Sequence, residues 1–552
     1  MQEYITIIGG GLAGSEAAYQ IAKRGIKVKL YEMKPTKFSP AHNNESLAEI
    51  VCSNSLKSNL HTNACGLLKE ELRMLDSLLI RIADKTAVPA GQALAVDREK
   101  FAKQVTQELQ KMSNIEIIRK EVGLETSKKS TNEELEKERL IEGKQRISNK
   151  VENQEAVKIE KATSNKIEKT ISNKVEEQSA TNAKDKMATP IEEKTLNKRR
   201  EETLTQIEQM AKEGIVIICT GPLTSNNLSR EIANLTGEDK LYFYDAAAPI
   251  IEKDSIDMSV AFWGDRYEQE RGKEETIEDW QERMKKQKEA DYLNLPMNKE
   301  EYETFCYNLI KAQTVILHDF EKREIFEGCM PIEIMAKRGK DTLRFGPLKP
   351  VGFTDKRTGK RPYAVVQLRQ DNSEGNLFNM VGFQTNLKYG EQQRVFGMIP
   401  GLEKANFVKY GVMHRNTYIN STKLLDKTYQ MKQNPHIYFA GQITGVEGYV
   451  ESISSGLVAA LNAVEQWKRE QSANLAQTKQ NSTQEKEKII FPNNTMIGAL
   501  ANYIATPNDN FQPMNANFGI LPEFPEKIKD KKIRYTKLAD RALEELTQMI
   551  LD

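Results

Sequence analysis

Residues 5–14 read Ile-Thr-Ile-Ile-Gly-Gly-Gly-Leu-Ala-Gly, an apolar run that stops at a cluster of glycines. Ala17, Ala18, Ile21 and Ala22 then recur at helical spacing, so the order is strand, tight turn, helix. A second apolar run, Val28 to Tyr31, follows Gly25 and closes a βαβ unit of about thirty residues. The expected fold is α/β, with a Rossmann-like dinucleotide-binding domain. The spacing Gly9-x-Gly11-x-x-Gly14 has mechanical reasons: Gly9 permits the turn, Gly11 lets backbone approach a pyrophosphate at the helix N-terminus, and Gly14 allows close helix packing. Gly10, Leu12 and Ala13 complete the loop. Glu32, ending the second strand, is placed to accept from ribose hydroxyls, and an acid there disfavours a 2′-phosphate, so FAD or NAD is preferred to NADP. The bland alternative, a glycine turn without a ligand, leaves the acid at the strand end unexplained. A late glycine segment, Ala440-Gly441-Gln442-Ile443-Thr444-Gly445, tips the expectation toward FAD, whose isoalloxazine end needs a second contact surface.

Working outward, the 552 residues include 39% hydrophobic and 29% charged residues, enough apolar material for a large core. Lys plus Arg number 80 against 79 Asp plus Glu, so an anionic partner must be held by a local patch and not by net charge. Five cysteines without CxxC or Cys/His ligand spacing indicate reduced thiols, no metal site and a cytoplasmic location. No apolar run approaches the roughly 18 residues of a membrane span, and no signal peptide precedes the first strand.

Residues 126–210 turn to Lys, Glu, Asn, Thr, Gln and Ser, and no aromatic residue occurs between Phe101 and Tyr242. The segment repeats itself: Ile147-Ser-Asn-Lys-Val-Glu-Asn-Gln returns as Ile171-Ser-Asn-Lys-Val-Glu-Glu-Gln. Lacking a hydrophobic face, it reads as an expanded polar insertion. Residues 1–125, 211–241 and 346–468 are expected to build the dinucleotide-binding domain and 242–345 an inserted α+β domain, with 469–488 a flexible linker and 489–552 a C-terminal segment packing on the core.

Long blocks of the chain match a known family: IVCSNSLKSN at 50–59, VPAGQALAVDR at 88–98, TGPLTS at 220–225, YFYDAAAPI at 242–250, FEGCMPIEIMAKRG at 326–339, GPLKPVGFTD at 346–355, PYAVVQLRQDN at 362–372, NMVGFQTNLKYGEQ at 379–392, GVMHRNTYIN at 411–420, FAGQITGVEGYVES at 439–452 and FQPMNANFGILP at 511–522. On these the sequence resembles the folate- and FAD-dependent tRNA (uracil-5-)-methyltransferases, the TrmFO family, related to the flavoproteins that modify wobble uridines. The resemblance implies that methylenetetrahydrofolate supplies a carbon, that a flavin reduced by NAD(P)H carries it, and that a uridine of the tRNA T-loop becomes ribothymidine. Nothing in the sequence implies a stable protein partner.

Carbon 5 of uracil becomes nucleophilic when a thiolate adds at carbon 6, so a cysteine beside the flavin is needed. Cys52, in Val51-Cys-Ser-Asn-Ser55, resembles the family cysteine placed next to the flavin; a lone cysteine is ordinarily buried and inert, but its polar neighbours reverse that here. The second family cysteine lies in an Asn-Cys-Pro block, where this chain reads Asn294-Leu295-Pro296. Three readings remain open: Cys306 substitutes for it, Cys52 does the work of both, or methyl transfer is lost or altered in a protein that still binds flavin and RNA. Cys65, Cys219 and Cys329 read as structural. Between Lys337 and Arg361, nine cations including Arg338, Arg357 and Lys349 face only Asp341 and Asp355, a cluster suited to RNA phosphates, tRNA by resemblance and ribosomal RNA as a variant. His414 and Arg415 read as orienting folate or the target base, with a structural histidine the competing reading, and Lys388 as holding folate's glutamate tail.

Overall fold

The computed structural model describes residues 3–39, 41–123, 205–237, 241–266, 290–315, 330–355, 357–411, 413–476, 488–508 and 511–551. Met1–Val122 with Ile207–Asp552 forms one compact unit; Gly123–Gln206 forms another, nearly all of it outside the described residues, as are the internal repeat, Cys329 and Lys356.

The first sheet has the order β16 (Gln430–Met431), β17 (Asn434–Phe439), β7 (Val216–Ile218), β1 (Tyr4–Ile8), β2 (Lys27–Glu32), β6 (Ile115–Arg119), parallel throughout except at the β16 edge. Ile5, Ile7 and Ile8 are buried whichever way they point, as β-branched residues are in a parallel sheet covered on both faces. Helices Leu12–Ala22 and Tyr449–Ala476 pack together over this sheet, and its core also takes in Leu538, Ala539, Ala542 and Leu546 of the C-terminal helix Lys531–Leu551. A small antiparallel sheet, β3 (Ser55–Ser58), β5 (Ala93–Val96) and β4 (Ala87–Val88), lies beside it in sequence.

The chain leaves the first core through β8 (Leu241–Ala246) and returns through β15 (Met413–Tyr418), and these two strands pair antiparallel. Between them it builds an antiparallel sheet of order β10 (Phe262–Trp263), β11 (Tyr292–Met297), β12 (Ala364–Gln370), β13 (Leu377–Met380), β9 (Ile250–Glu252), β14 (Phe407–Lys409). Helix Lys299–Lys311, started by an Asn298/Glu301 capping box, contributes Tyr302, Phe305 and Leu309 to a second core.

Three sequence boundaries are corrected. Residues 346–409 do not return to the dinucleotide-binding domain, because β12 pairs with β11 and buries Val366 and Leu368 against Leu293 and Leu295. The dinucleotide-binding domain takes in residues before 211, since helix Gln206–Glu213 sinks Ile207 and Ala211 into the first core. The stretch read as a linker from 469 begins as helix, which continues to Ala476. Among the described residues no helix is long and apolar enough to cross a membrane.

Candidate functional site

Strand β1 ends at Ile8, and the turn that follows is shaped by two steric constraints. Gly9 has φ +104°, and a Cβ on it would lie 2.6 Å from the Cys219 carbonyl oxygen; a Cβ on Gly14 would lie 1.9 Å from the Gly9 oxygen. Gly11 is different. It is the N-cap of helix Leu12–Ala22, no side chain caps that terminus, and a Cβ there would meet no protein atom within 4 Å. Open space beside an uncapped helix N-terminus is what a pyrophosphate requires. Glu32 is 7% exposed, and its carboxylate accepts from the backbone N–H groups of Gly10 at 3.0 Å and Lys34 at 2.9 Å, which aims it at the end of the turn.

Gly9, Gly10, Gly11, Glu32 and Lys34 line a cavity of about 380 Å³ that also takes in Leu12, Ala13, Gly441, Gln442 and Cys52. The two glycine segments, more than 400 residues apart in sequence, meet where a Cβ on Gly441 would lie 3.0 Å from Ala13 Cβ. Gly14 and Gly445 do not line the cavity; Gly14 packs helix on turn, and Gly445 lies against the Phe511 ring, 2.4 Å from where its Cβ would be. The donors, the acid and the open cradle fit a dinucleotide such as FAD.

The same cavity wall carries the thiol of Cys52. The loop 50–54 is gripped from several elements. Arg98 donates to the carbonyls of Ile50, Val51 and Cys52 at 3.3 to 3.4 Å while pairing with Asp371 at 3.1 Å. Lys409, at the end of β14, donates to the Val51 oxygen at 3.4 Å. The Tyr449 hydroxyl accepts from the N–H groups of Cys52 and Ser53, and Arg369 of β12 donates to the Ser53 hydroxyl at 2.8 Å and to the Asn54 side-chain oxygen. Cys52 is half-buried. The other described cysteines are buried, and burial pushes the thiols of Cys65 and Cys306 up to about 11 and that of Cys219 up further, so all three stay protonated and unreactive.

Leu295 is fully buried at the centre of the second core, opposite Val366, and does not line the cavity; Cys306 belongs to that core as well. Arg338 is exposed and Lys349 half-buried, both away from the cavity lining. Arg357 turns inward, to Asp355, Glu301 and the Pro296 carbonyl, and so is a structural member of the basic cluster. Lys388 is exposed beside Gln313, four residues beyond Gln384 of the cavity lining. His414 and Arg415 lie on β15 in register with Asp245 and Tyr244; their side chains are outside the described residues. Sequence reading missed Arg98, Arg369, Lys409 and Tyr449. Arg98, Arg369 and Tyr449 fall inside family-matching blocks, but nothing local pointed any of the four at Cys52.

A family model described as glucose inhibited division protein A matches residues 4–147 and 142–471. Two solved structures of Aquifex aeolicus GidA share the fold, with TM-scores of 0.56, 14% and 15% identity, and coverage of 99% of this chain and 73% and 76% of theirs. Much higher identity comes from proteins named methylenetetrahydrofolate–tRNA-(uracil-5-)-methyltransferase TrmFO: 48% in Acetivibrio thermocellus, over 100% of this chain and 99% of the relative, and 46% in Halalkalibacterium halodurans, over 99% and 98%. With identity of that order across both chains from end to end, this chain belongs to the TrmFO family.

Proposed function

We propose that this chain is a methylenetetrahydrofolate- and FAD-dependent tRNA (uracil-5-)-methyltransferase that converts a T-loop uridine to ribothymidine, with NAD(P)H reducing the flavin. The observation that carries this reading is Cys52 lining the same cavity as the uncapped helix N-terminus at Gly11. Bound FAD would supply the reducing equivalents and relay the folate-derived carbon. Gly9, Gly10, Gly11, Leu12 and Ala13 would hold its pyrophosphate, Glu32 its ribose, and Gly441 with Gln442 its far end. The Cys52 thiolate adds to C6 of the uracil: an S–C6 bond forms, and the C5–C6 π pair moves toward the C4 carbonyl, leaving C5 nucleophilic. Once C5 has taken the carbon and lost its proton, the S–C6 bond breaks and the thiolate is released. Arg338 and Lys349, with exposed Lys340, Lys360 and Arg361, would face RNA phosphates. Lys388 would take the folate glutamate tail, and His414 and Arg415 the folate or the base.

A second reading, a flavin- and RNA-binding homologue with lost or altered transfer, rests on Leu295. Its packing in the second core weighs against a missing nucleophile there, and leaves Cys52 to serve alone. The test supplies purified protein with methylenetetrahydrofolate, NAD(P)H and an unmodified tRNA transcript, with a ribosomal RNA fragment in a parallel arm. Nucleoside mass spectrometry should find 5-methyluridine in the tRNA, and Cys52→Ser should abolish it while keeping flavin. No methylation of either RNA under full cofactor supply overturns the proposal.

A further inference from the structure

The loop bearing Cys52 belongs to the first core, yet two of the cations that touch it or its neighbours, Lys409 and Arg369, come from the second sheet. We propose that Lys409, with Arg98, holds Cys52 as a thiolate, which makes the edge of the second sheet part of the reactive site. The inference rests on Cys52 being the reacting thiol of the proposed function. Charges face the loop from every side. Arg98 is paired with Asp371 at 3.1 Å, and Glu49 with Lys34 at 3.0 Å. Arg369 is spent on Ser53 and Asn54, and burial keeps the Tyr449 hydroxyl protonated. Among the described residues neither Arg369 nor Lys409 has a carboxylate within ion-pair distance; Arg369 is taken up by Ser53 and Asn54, and the Lys409 ammonium is 3.4 Å from the Val51 oxygen, one residue before the thiol.

Lys409 sits below its ordinary range, lowered first by burial and then by Arg98, with Glu49, Asp371 and Cys52 offsetting part of this. Coupling between two charges is mutual, so a thiolate that favours the Lys409 proton is favoured by it. Cys65 shows the opposite setting in the same fold: burial first, then the facing Glu451 carboxylate, pushes its thiol up. Lys409 is a positioning residue here, acting through Cys52.

The experiment measures the pH dependence of iodoacetamide alkylation at Cys52 in flavin-loaded protein, followed by peptide mass spectrometry, for wild type, Lys409→Gln and Lys409→Arg. Glutamine keeps a donor for the Val51 carbonyl and removes the charge; arginine keeps the charge. Wild type should alkylate with an apparent pKa below the roughly 8.5 of a free cysteine. Lys409→Gln should raise it by about one unit, a rate about tenfold lower at pH 7, and Lys409→Arg should stay near wild type, with flavin content constant. A wild-type value at or above that of free cysteine overturns the proposal without need of any variant, as does a glutamine variant that titrates like wild type. If the shift is found but no RNA is methylated, the functional reading fails and the thiolate clamp stands.

Discussion

Two glycines three residues apart should respond to substitution in opposite ways. Gly11 has φ −72° and ψ −163°, which any residue adopts, and its missing Cβ would touch no protein atom. Gly11→Val should therefore cost the apoprotein no more than about 1 kcal/mol, the difference between glycine and an apolar residue at an N-cap. The side chain instead fills the space that a pyrophosphate would occupy. Losing one or two hydrogen bonds to a charged group, at about 1.5–3 kcal/mol each, weakens flavin binding by at least about tenfold before any steric clash is counted. At Gly14 the added Cβ would meet a backbone oxygen at 1.9 Å, roughly half an ordinary contact, so helix Leu12–Ala22 must move off the turn. Overpacking of that kind costs about 1–3 kcal/mol or more, and it falls on the apoprotein. The assay pairs the flavin-to-protein absorbance ratio with thermal melting of flavin-stripped protein. Gly11→Val should melt with wild type and be colourless; Gly14→Ala should melt several degrees lower. A Gly11→Val protein that keeps its flavin, or whose apo form melts as low as Gly14→Ala, would refute the assignment of Gly11 to the pyrophosphate.

Leu295→Cys should leave methylation unchanged and lower stability by about 1–2 kcal/mol through lost packing in the second core; a gain in 5-methyluridine would show that the position reaches the substrate. Arg357→Ala, which strips Asp355 of its charge-assisted partner, should lower stability by about 1.5–3 kcal/mol in denaturant melts, whereas Lys360→Ala and Arg361→Ala should leave stability alone and reduce the salt dependence of tRNA binding; equal melting of all three sinks the distinction. Burial pushes Glu71 up to about 8 although two backbone N–H groups, those of Met496 and Ile497, donate to it. Its proton is thus held more tightly in the folded chain, so its contribution to stability is largest below about pH 4.5 and falls as pH rises toward about 8. Glu71→Gln should remove that slope, its melting temperature gaining on wild type between pH 5 and pH 8, and parallel curves would contradict the assignment.

The glycine turn was legible because its constraints are local: a carbonyl at 1.9 Å demands glycine wherever the rest of the chain goes. That Cys52 would stand on the cavity wall was legible from its polar neighbours and its family block. Lys409 was not, since a lone lysine on a three-residue strand looks like any surface cation until β14 is laid beside β9 and its end reaches Val51. The run Ala364-Val-Val-Gln-Leu-Arg-Gln370 reads equally well as a strand of either sheet, and only its pairing with β11 assigns it, which is why the boundary at 346 was misplaced. Residues 469–473 have the composition of a linker because this turn of the long helix Tyr449–Ala476 is exposed or only half-buried.

The leucine at 295 can be understood through the same geometry. Strand β11 runs antiparallel to β12 from Met297 and Ala364 to Tyr292 and Arg369, so the packing of Leu293 and Leu295 fixes where Arg369 and Asp371 emerge at the strand end. Arg369 meets the cysteine loop directly at Ser53 and Asp371 meets it through Arg98, while Lys409 leaves the edge strand β14 of the same sheet to reach Val51. Under the proposed function, a leucine here keeps three charged groups in register with Cys52, whereas a thiol at this depth would be protonated and out of reach of the cavity. If Cys52 is the nucleophile proposed above, the second sheet is its brace, and loosening the core of that sheet should alter the pH dependence of Cys52 before it alters flavin binding.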